Sequence, residues 1–188
     1  MSANLILLVG PRGSGKSTVG PEVARALGWS FADADELVEA TAGKSIAGIF
    51  KAEGEAGFRD RESVALAELC ARANHVVATG GGVVLREANR DLLTRSGFVA
   101  WLAVTPELAF ERMTADPTTA ARRPNLTALG GVAEMRELIA AREPLYRAVA
   151  HFTCDTAGRS PAAAAAAILT AWTNFRCSSG PAPHSSSA

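Results

Sequence analysis

The chain is constrained most by one stretch, LILLVGPRGSGKSTVG at residues 5–20, where an apolar run breaks directly into glycine. Leu5–Val9 carries no polar residue, the pattern of a strand buried on both faces. After it, Val19, Val23, Ala26 and Leu27 recur at helical spacing. Between strand and helix, Gly10-Pro11-Arg12-Gly13-Ser14-Gly15-Lys16-Ser17 fits the pattern G-x-x-x-x-G-K-[ST], which carries weight because it joins a strand to a helix. Such a loop curls its backbone N–H groups round one anion, and the helix N-terminus adds further N–H groups and a favourable dipole. Gly13, Ser14, Gly15, Lys16, Ser17 and Thr18 are therefore expected to hold a nucleoside triphosphate, with Lys16 on the β- and γ-phosphates and the Ser17 hydroxyl on Mg²⁺. Pro21 fits this helix poorly, because an interior proline removes a backbone hydrogen bond and clashes with the preceding turn. A kink or widened turn is expected at residues 17–21.

The alternation continues along the chain. Strands are expected at residues 29–32, at His75–Ala78, at 98–102 and at 152–154. Helices are expected around Leu37 and Val38, from about 53 to 72, and through Val132, Met135, Leu138, Ile139 and Leu145. Ser160 and Pro161 read as the N-cap and first residue of an alanine-rich helix through Ile168, Leu169 and Trp172. Strands alternating with helices predict an α/β chain: a parallel sheet covered on both faces, right-handed crossovers, and ligands beyond the carboxyl ends of the strands. Residues 114–130, TADPTTAARRPNLTALG, break the pattern, and a loop of that length in a compact domain is functional or disordered. The last stretch, CSSGPAPHSSSA, has the composition of a disordered tail. A single domain over residues 1–174, followed by that tail, is the expected organisation.

Composition narrows the range of partners. Nineteen basic residues balance nineteen acidic ones, so neither nucleic acid nor an anionic membrane surface is expected. Any anion must then be met by locally placed arginines. No apolar run reaches the length of a membrane span, and residues 5–9 lack the basic flank and cleavage site of a signal peptide. Cys70, Cys154 and Cys177 are scattered, as are His75, His151 and His184, without metal-ligand spacing. Reduced thiols and a cytoplasmic location are the resulting expectations, with a monomer as the default.

Three further stretches bear on what receives the phosphate. In FADADELVE, Asp33 and Asp35 come after the second strand two residues apart, so in extended backbone they share a side. One can hold Mg²⁺ through water while the other accepts from substrate hydroxyls, and Asp35 can take the proton of an attacking hydroxyl; the alternative is an N-cap plus an exposed acid. In GEAGFRDRE, Arg59 offers a planar fork that pairs with a carboxylate at two points, or else a surface ion pair with Glu55 or Glu62. In VVATGGGVV, Gly80, Gly81 and Gly82 come after a strand end and let a small ligand approach bare backbone, or else form a flexible turn.

Taken together, GPRGSGKSTVG, FADAD, GFRDRE, TGGG, RPNL and REPLYRAVA, in this order over residues 4 to about 172, resemble the shikimate kinases, P-loop kinases of the nucleoside-monophosphate-kinase fold type. The resemblance implies a three-layer fold with a five-stranded parallel sheet in the order 2-3-1-4-5, and a mobile lid at about 114–130. It implies transfer of the γ-phosphoryl group of ATP to the 3-hydroxyl of shikimate, with Mg²⁺, in chorismate and aromatic amino acid biosynthesis. Under it Asp35 holds ring hydroxyls, Arg59 and Arg142 pair with the substrate carboxylate, and Gly80, Gly81 and Gly82 line the same pocket. Asp33 fixes a water on Mg²⁺, Arg123 belongs to the lid and reaches the transferring phosphoryl group, and Arg112 and Pro161 flank the adenine. The chain departs from the family pattern at Asn125, where many members carry leucine, and in having Arg122 beside Arg123; Arg123, directly before Pro124, is the better match. Two other readings stand beside this one: another small-molecule kinase, such as a gluconate kinase, and a nucleotide-binding regulatory module without turnover.

Overall fold

Strand β1 (Leu5–Val9) lies at the centre of the sheet, and all five of its side chains are fully buried. The computed structural model describes residues 4–115 and 131–178. Successive side chains of a strand point to opposite faces, and β1 divides the core in that way. Leu5, Leu7 and Val9 enter one hydrophobic cluster, Ile6 and Leu8 the other. With β2 (Ser30–Asp33), β3 (His75–Ala78), β4 (Phe98–Ala103) and β5 (Phe152–Asp155) it forms one sheet, all pairs parallel, in the expected order β2-β3-β1-β4-β5.

Helices α1 (Lys16–Leu27) and α7 (Pro161–Ser178) cover the Ile6 face through Val19, Val23, Ile168 and Trp172. On the Leu7 face lie α3 (Ile46–Cys70), α4 (Glu87–Ser96) and α6 (Gly131–Val149), which contribute Leu66, Leu69, Leu93 and Tyr146. Two smaller clusters extend the core: α2 (Ala34–Ala42) packs Val38 against Ile49 and Phe58 of α3, and α5 (Pro106–Ala115) packs Ala109 against Met135 of α6. Both faces of a parallel sheet are thereby covered, as its apolar strands require.

The differences from the sequence-based expectations are local. β2 starts one residue later than 29, and Trp29 instead meets Trp172 edge-on, ring centroids 5.1 Å apart. Helix α3 begins at Ile46 behind the Ser45 cap and breaks at Gly54 (φ 70°, ψ −174°), so the helix expected from about 53 is its second part. Apolar spacing does not reveal α4, which buries Asn89 and Leu93 in a mostly polar run. Helix α5 opens after Thr105, whose Oγ1 accepts from the Leu108 N–H at 3.3 Å, with Pro106 as its first residue, a start signal legible in the sequence. Helix α1 runs from Lys16 to Leu27 as one element with Pro21 inside it.

Ser160 Oγ accepts from the Ala163 N–H at 3.2 Å, the expected cap of α7. That helix continues to Ser178, and its Phe175 packs against Phe98 and His151. Thr114 and Ala115 close α5, so only the 116–130 part of the expected irregular segment lies outside the described residues.

Leu7, central in β1 and opposite Val77 and Val99, reports on the core. Leu7→Ala should lower unfolding free energy by about 3 kcal/mol, read from urea midpoints with an unchanged slope.

Candidate active site

β1 ends at Val9, and its chain turns through the glycine-rich loop into α1. Gly15, the helix N-cap, sits in the left-handed region (φ 94°, ψ 13°), where a side chain would be strained. Lys16 comes next, largely buried. Its Nζ donates to the carbonyl oxygens of Gly10 and Pro11, each at 2.8 Å, and to Ser14 Oγ at 3.3 Å. The ammonium is thus folded against the loop, beside the backbone N–H groups of a helix start, an arrangement suited to an anion. Ser17 Oγ donates to Asp33 Oδ2 at 2.8 Å. The other oxygen of Asp33 accepts from the Asp35 N–H at 2.9 Å and caps α2. The capping alternative for Asp33 and its link to the phosphate loop therefore hold together.

This loop borders a cleft of about 570 Å³ whose walls include Asp33, Asp35, Thr79, Gly81 and Pro161. At one end Arg112 braces the loop. Its Nη1 donates to the Gly13 carbonyl at 3.3 Å and to Thr156 Oγ1 at 3.0 Å, and its Nη2 to the Thr156 carbonyl at 2.9 Å. Arg159 lines the same end beside Ser160 and Pro161.

At the other side, β3 runs into the three glycines. The register of β2 on β3 sets Asp33 opposite Ala78, one residue before Thr79. A Cβ on Gly80 would overlap Glu62 Oε1 and stand 3.1 Å from Asp35 Oδ1; one on Gly82 would overlap the Arg59 guanidinium. These glycines are therefore close-approach positions, not a flexible turn. Arg59 is buried. Its Nη1 donates to Glu62 Oε2 at 2.8 Å and its Nη2 to Glu55 Oε1 at 3.1 Å. Burial works against the Arg59 charge, but Glu62 and then Glu55 outweigh it and raise its pKa above the ordinary arginine value. The ion pair foreseen with Glu55 or Glu62 exists, yet on the guanidinium side it is a buried pair rather than a surface one.

Arg142 reaches the same turn from α6, its Nη1 donating to the Gly81 carbonyl at 3.3 Å. The Tyr146 hydroxyl donates to that same carbonyl. Arg59, Arg142, Gly80, Gly81, Gly82 and Asp35 are thus brought together beside the phosphate loop. Of these, Gly81 and Asp35 line the cleft itself, and Arg142 and Arg59 adjoin it through their contacts with Gly81 and Gly82. Arg123, with Arg122, Pro124 and Asn125, lies outside the described residues. Among the described residues no group of three or more His, Cys, Asp or Glu is arranged to hold a metal.

Sequence reasoning gave no role to Tyr146 or Thr156. Tyr146 had a signal, its i,i+4 spacing from Arg142 within REPLYR. Thr156 had none, because its contacts with Arg112 and with the Ala103 carbonyl join residues 44 and 53 positions apart.

Tyr146 is fully buried, and burial pushes its phenol up to about 12 from an ordinary value near 10, with Arg142 opposing. A folded pKa raised in this way contributes stability that is complete below the unfolded value and lost as pH rises through the folded one. The chain has one tyrosine, so phenolate absorbance reports it alone. The folded protein should show little phenolate at pH 10, the urea-unfolded protein about half, and stability should fall from pH 10 upward. Equal titration of both states would contradict this.

Comparison with known proteins points the same way. A family profile described as Shikimate kinase matches residues 12–173. The shikimate kinase of Rhodopirellula baltica is 47% identical over 155 residues, covering 82% of this chain and 83% of the relative. That of Symbiobacterium thermophilum is 48% identical over 155 residues, covering 82% and 88%. The solved shikimate kinase of Acinetobacter baumannii in complex with shikimate superposes with a TM-score of 0.86 at 39% identity, over 92% of this chain and 94% of that one. A gluconokinase from Sinorhizobium meliloti, 18% identical with a TM-score of 0.60 over 95% of this chain and 99% of its own, shares the fold alone. A phosphate loop that abuts an arginine-backed glycine turn thus accompanies agreement along most of the sequence, and the chain belongs to the shikimate kinase family.

Proposed function

We propose that this chain is an ATP-dependent shikimate kinase, transferring the γ-phosphoryl group of ATP to the 3-hydroxyl of shikimate and releasing ADP and shikimate 3-phosphate, a step of chorismate and aromatic amino acid biosynthesis. One observation carries the reading. Gly81 abuts the backbone of Gly10 and Arg12 on one side, and its carbonyl meets Arg142 on the other. A small anion gripped by guanidinium groups at that turn therefore lies next to the phosphate loop. Two guanidinium forks suit one carboxylate, and Asp35 at the cleft wall suits hydroxyls at the other end of a small ring.

ATP is the co-substrate. Its β- and γ-phosphates are held by the N–H groups of Gly13, Ser14, Gly15, Ser17 and Thr18 and by Lys16, with Arg112 and Pro161 at the adenine end. The oxygen donors Ser17 Oγ and Asp33 Oδ2, 2.8 Å apart, fit a hard divalent cation that keeps most of its waters. Ser17 would hold Mg²⁺ directly and Asp33 through water, and when bound the ion offsets the triphosphate charge. The shikimate 3-oxygen attacks the γ-phosphorus, its proton passes to Asp35, and the bond from that phosphorus to the β-bridging oxygen breaks. Arg123 is the further cation assigned to the transferring phosphoryl group. The catalytic unit comprises residues 1–174, it works as a monomer in the cytoplasm, and no described helix is long and apolar enough to cross a membrane.

A coupled ADP-release assay tests the reading: ATP and Mg²⁺ with shikimate should give turnover, while gluconate and other polyol acids should not. Turnover with gluconate alone would replace the proposed acceptor, and ATP binding without turnover on any acceptor would leave a nucleotide-binding module. Arg142→Ala should raise the KM for shikimate by about tenfold or more, since a charge-assisted contact is lost. Unchanged shikimate affinity would remove Arg142 from the acceptor site.

A further inference from the structure

We propose that the Tyr146 hydroxyl is a positioning group for the acceptor: by holding the Gly81 carbonyl it leaves the Arg142 guanidinium available to the acceptor's carboxylate. The inference rests on the function proposed above and concerns a residue to which that reaction assigns no part.

A buried phenol must find an acceptor. Tyr146 lies on α6 between the Trp101 ring, centroids 6.0 Å apart, and the glycine turn. Its hydroxyl is spent on a backbone carbonyl, and on the one that also receives Arg142. Tyr146 and Arg142 are four residues apart on one helix, so both approach Gly81 from the same face. A carbonyl oxygen has two lone pairs and can take both donors. Arg142 stands at 3.3 Å from that oxygen, near the long limit for such a bond.

The shared carbonyl gives the hydroxyl its role. A buried carbonyl is costly to leave unsatisfied. With the phenol in place the Gly81 oxygen needs little from Arg142, whose remaining donors stay free of it. Without the phenol, Arg142 is the donor left at that oxygen and is drawn onto it, away from a carboxylate in the cleft. Gly81 also lines the cleft, so its carbonyl and the Arg142 beside it belong to one surface of the acceptor side. Arg59 and Glu62 lie in the same electrostatic neighbourhood, which ties the hydroxyl to both guanidinium groups of the site. Tyr146 touches no reacting atom. Its loss should appear in acceptor binding and leave the chemical step and the ATP site as they were.

The test is steady-state kinetics of Tyr146→Phe beside wild type. The variant should raise the KM for shikimate about three- to twelvefold, within the span that one net hydrogen bond converts to, with kcat within about twofold and the KM for ATP unchanged. A variant with wild-type shikimate KM overturns the proposal even if its melting temperature falls, because a purely structural hydroxyl would lower stability without that split. A wild-type enzyme that does not turn over shikimate instead overturns the function reading. Should the variant fail to fold, the intact protein still decides. Tyr146 is the only tyrosine, so biosynthetic 3-fluorotyrosine labels it alone, and shikimate added without nucleotide should shift its ¹⁹F resonance. A resonance unmoved at saturating shikimate would end the proposal.

Discussion

The structure depends on β1 and β3 being parallel neighbours. Both strands leave the sheet at the same edge, so the phosphate loop after one and the glycine turn after the other emerge side by side. Thr79 fastens the junction, its N–H and its Oγ1 each donating to the Leu8 carbonyl at 3.0 Å. Adjacent strands stand about 4.8 Å apart. Two ligands on neighbouring strand ends are therefore close without any special device, and much of the advantage of an enzyme over solution comes from such proximity and alignment. The adjacency is secured by the apolar run of β1, so the core and the chemistry have one origin in the sequence.

The second constraint is electrostatic. A buried guanidinium is costly unless carboxylates stand against it, and Arg59 is held by Glu62 from within and Glu55 from the rim. Gly82 makes room for its planar head with bare backbone. The Arg59 head is thus held in one orientation by its own neighbours, and a group fixed in advance needs less ordering when a ligand binds.

Most of this was legible in the sequence, though unevenly. The phosphate loop, the five strands, the paired aspartates and the glycine turn all carry local signatures, because each is a run of residues whose spacing is diagnostic, whereas the strand order came from the family resemblance and not from spacing. Helix α4 was not legible, since a polar run that buries one leucine has no periodicity to detect. The first part of α3 was hidden by Gly54, which divides the pattern. Asp33 and Arg59 each carried two candidate readings, and of these the structure displays the cap at Asp33 and the ion pairs of Arg59 with Glu55 and Glu62. Thr156 could not have been found, because a bracket between strand ends 53 residues apart leaves no local trace.

Asp33 has each carboxylate oxygen committed separately, one to the start of α2 and one to Ser17. Asparagine would keep the cap but turn an NH₂ toward the serine hydroxyl, serine would cap without reaching, and glutamate would carry the fork a methylene too far. Few replacements satisfy both demands at once. Position 33 therefore couples the phosphate loop to the start of α2 through a single side chain, so a change there disturbs both elements together.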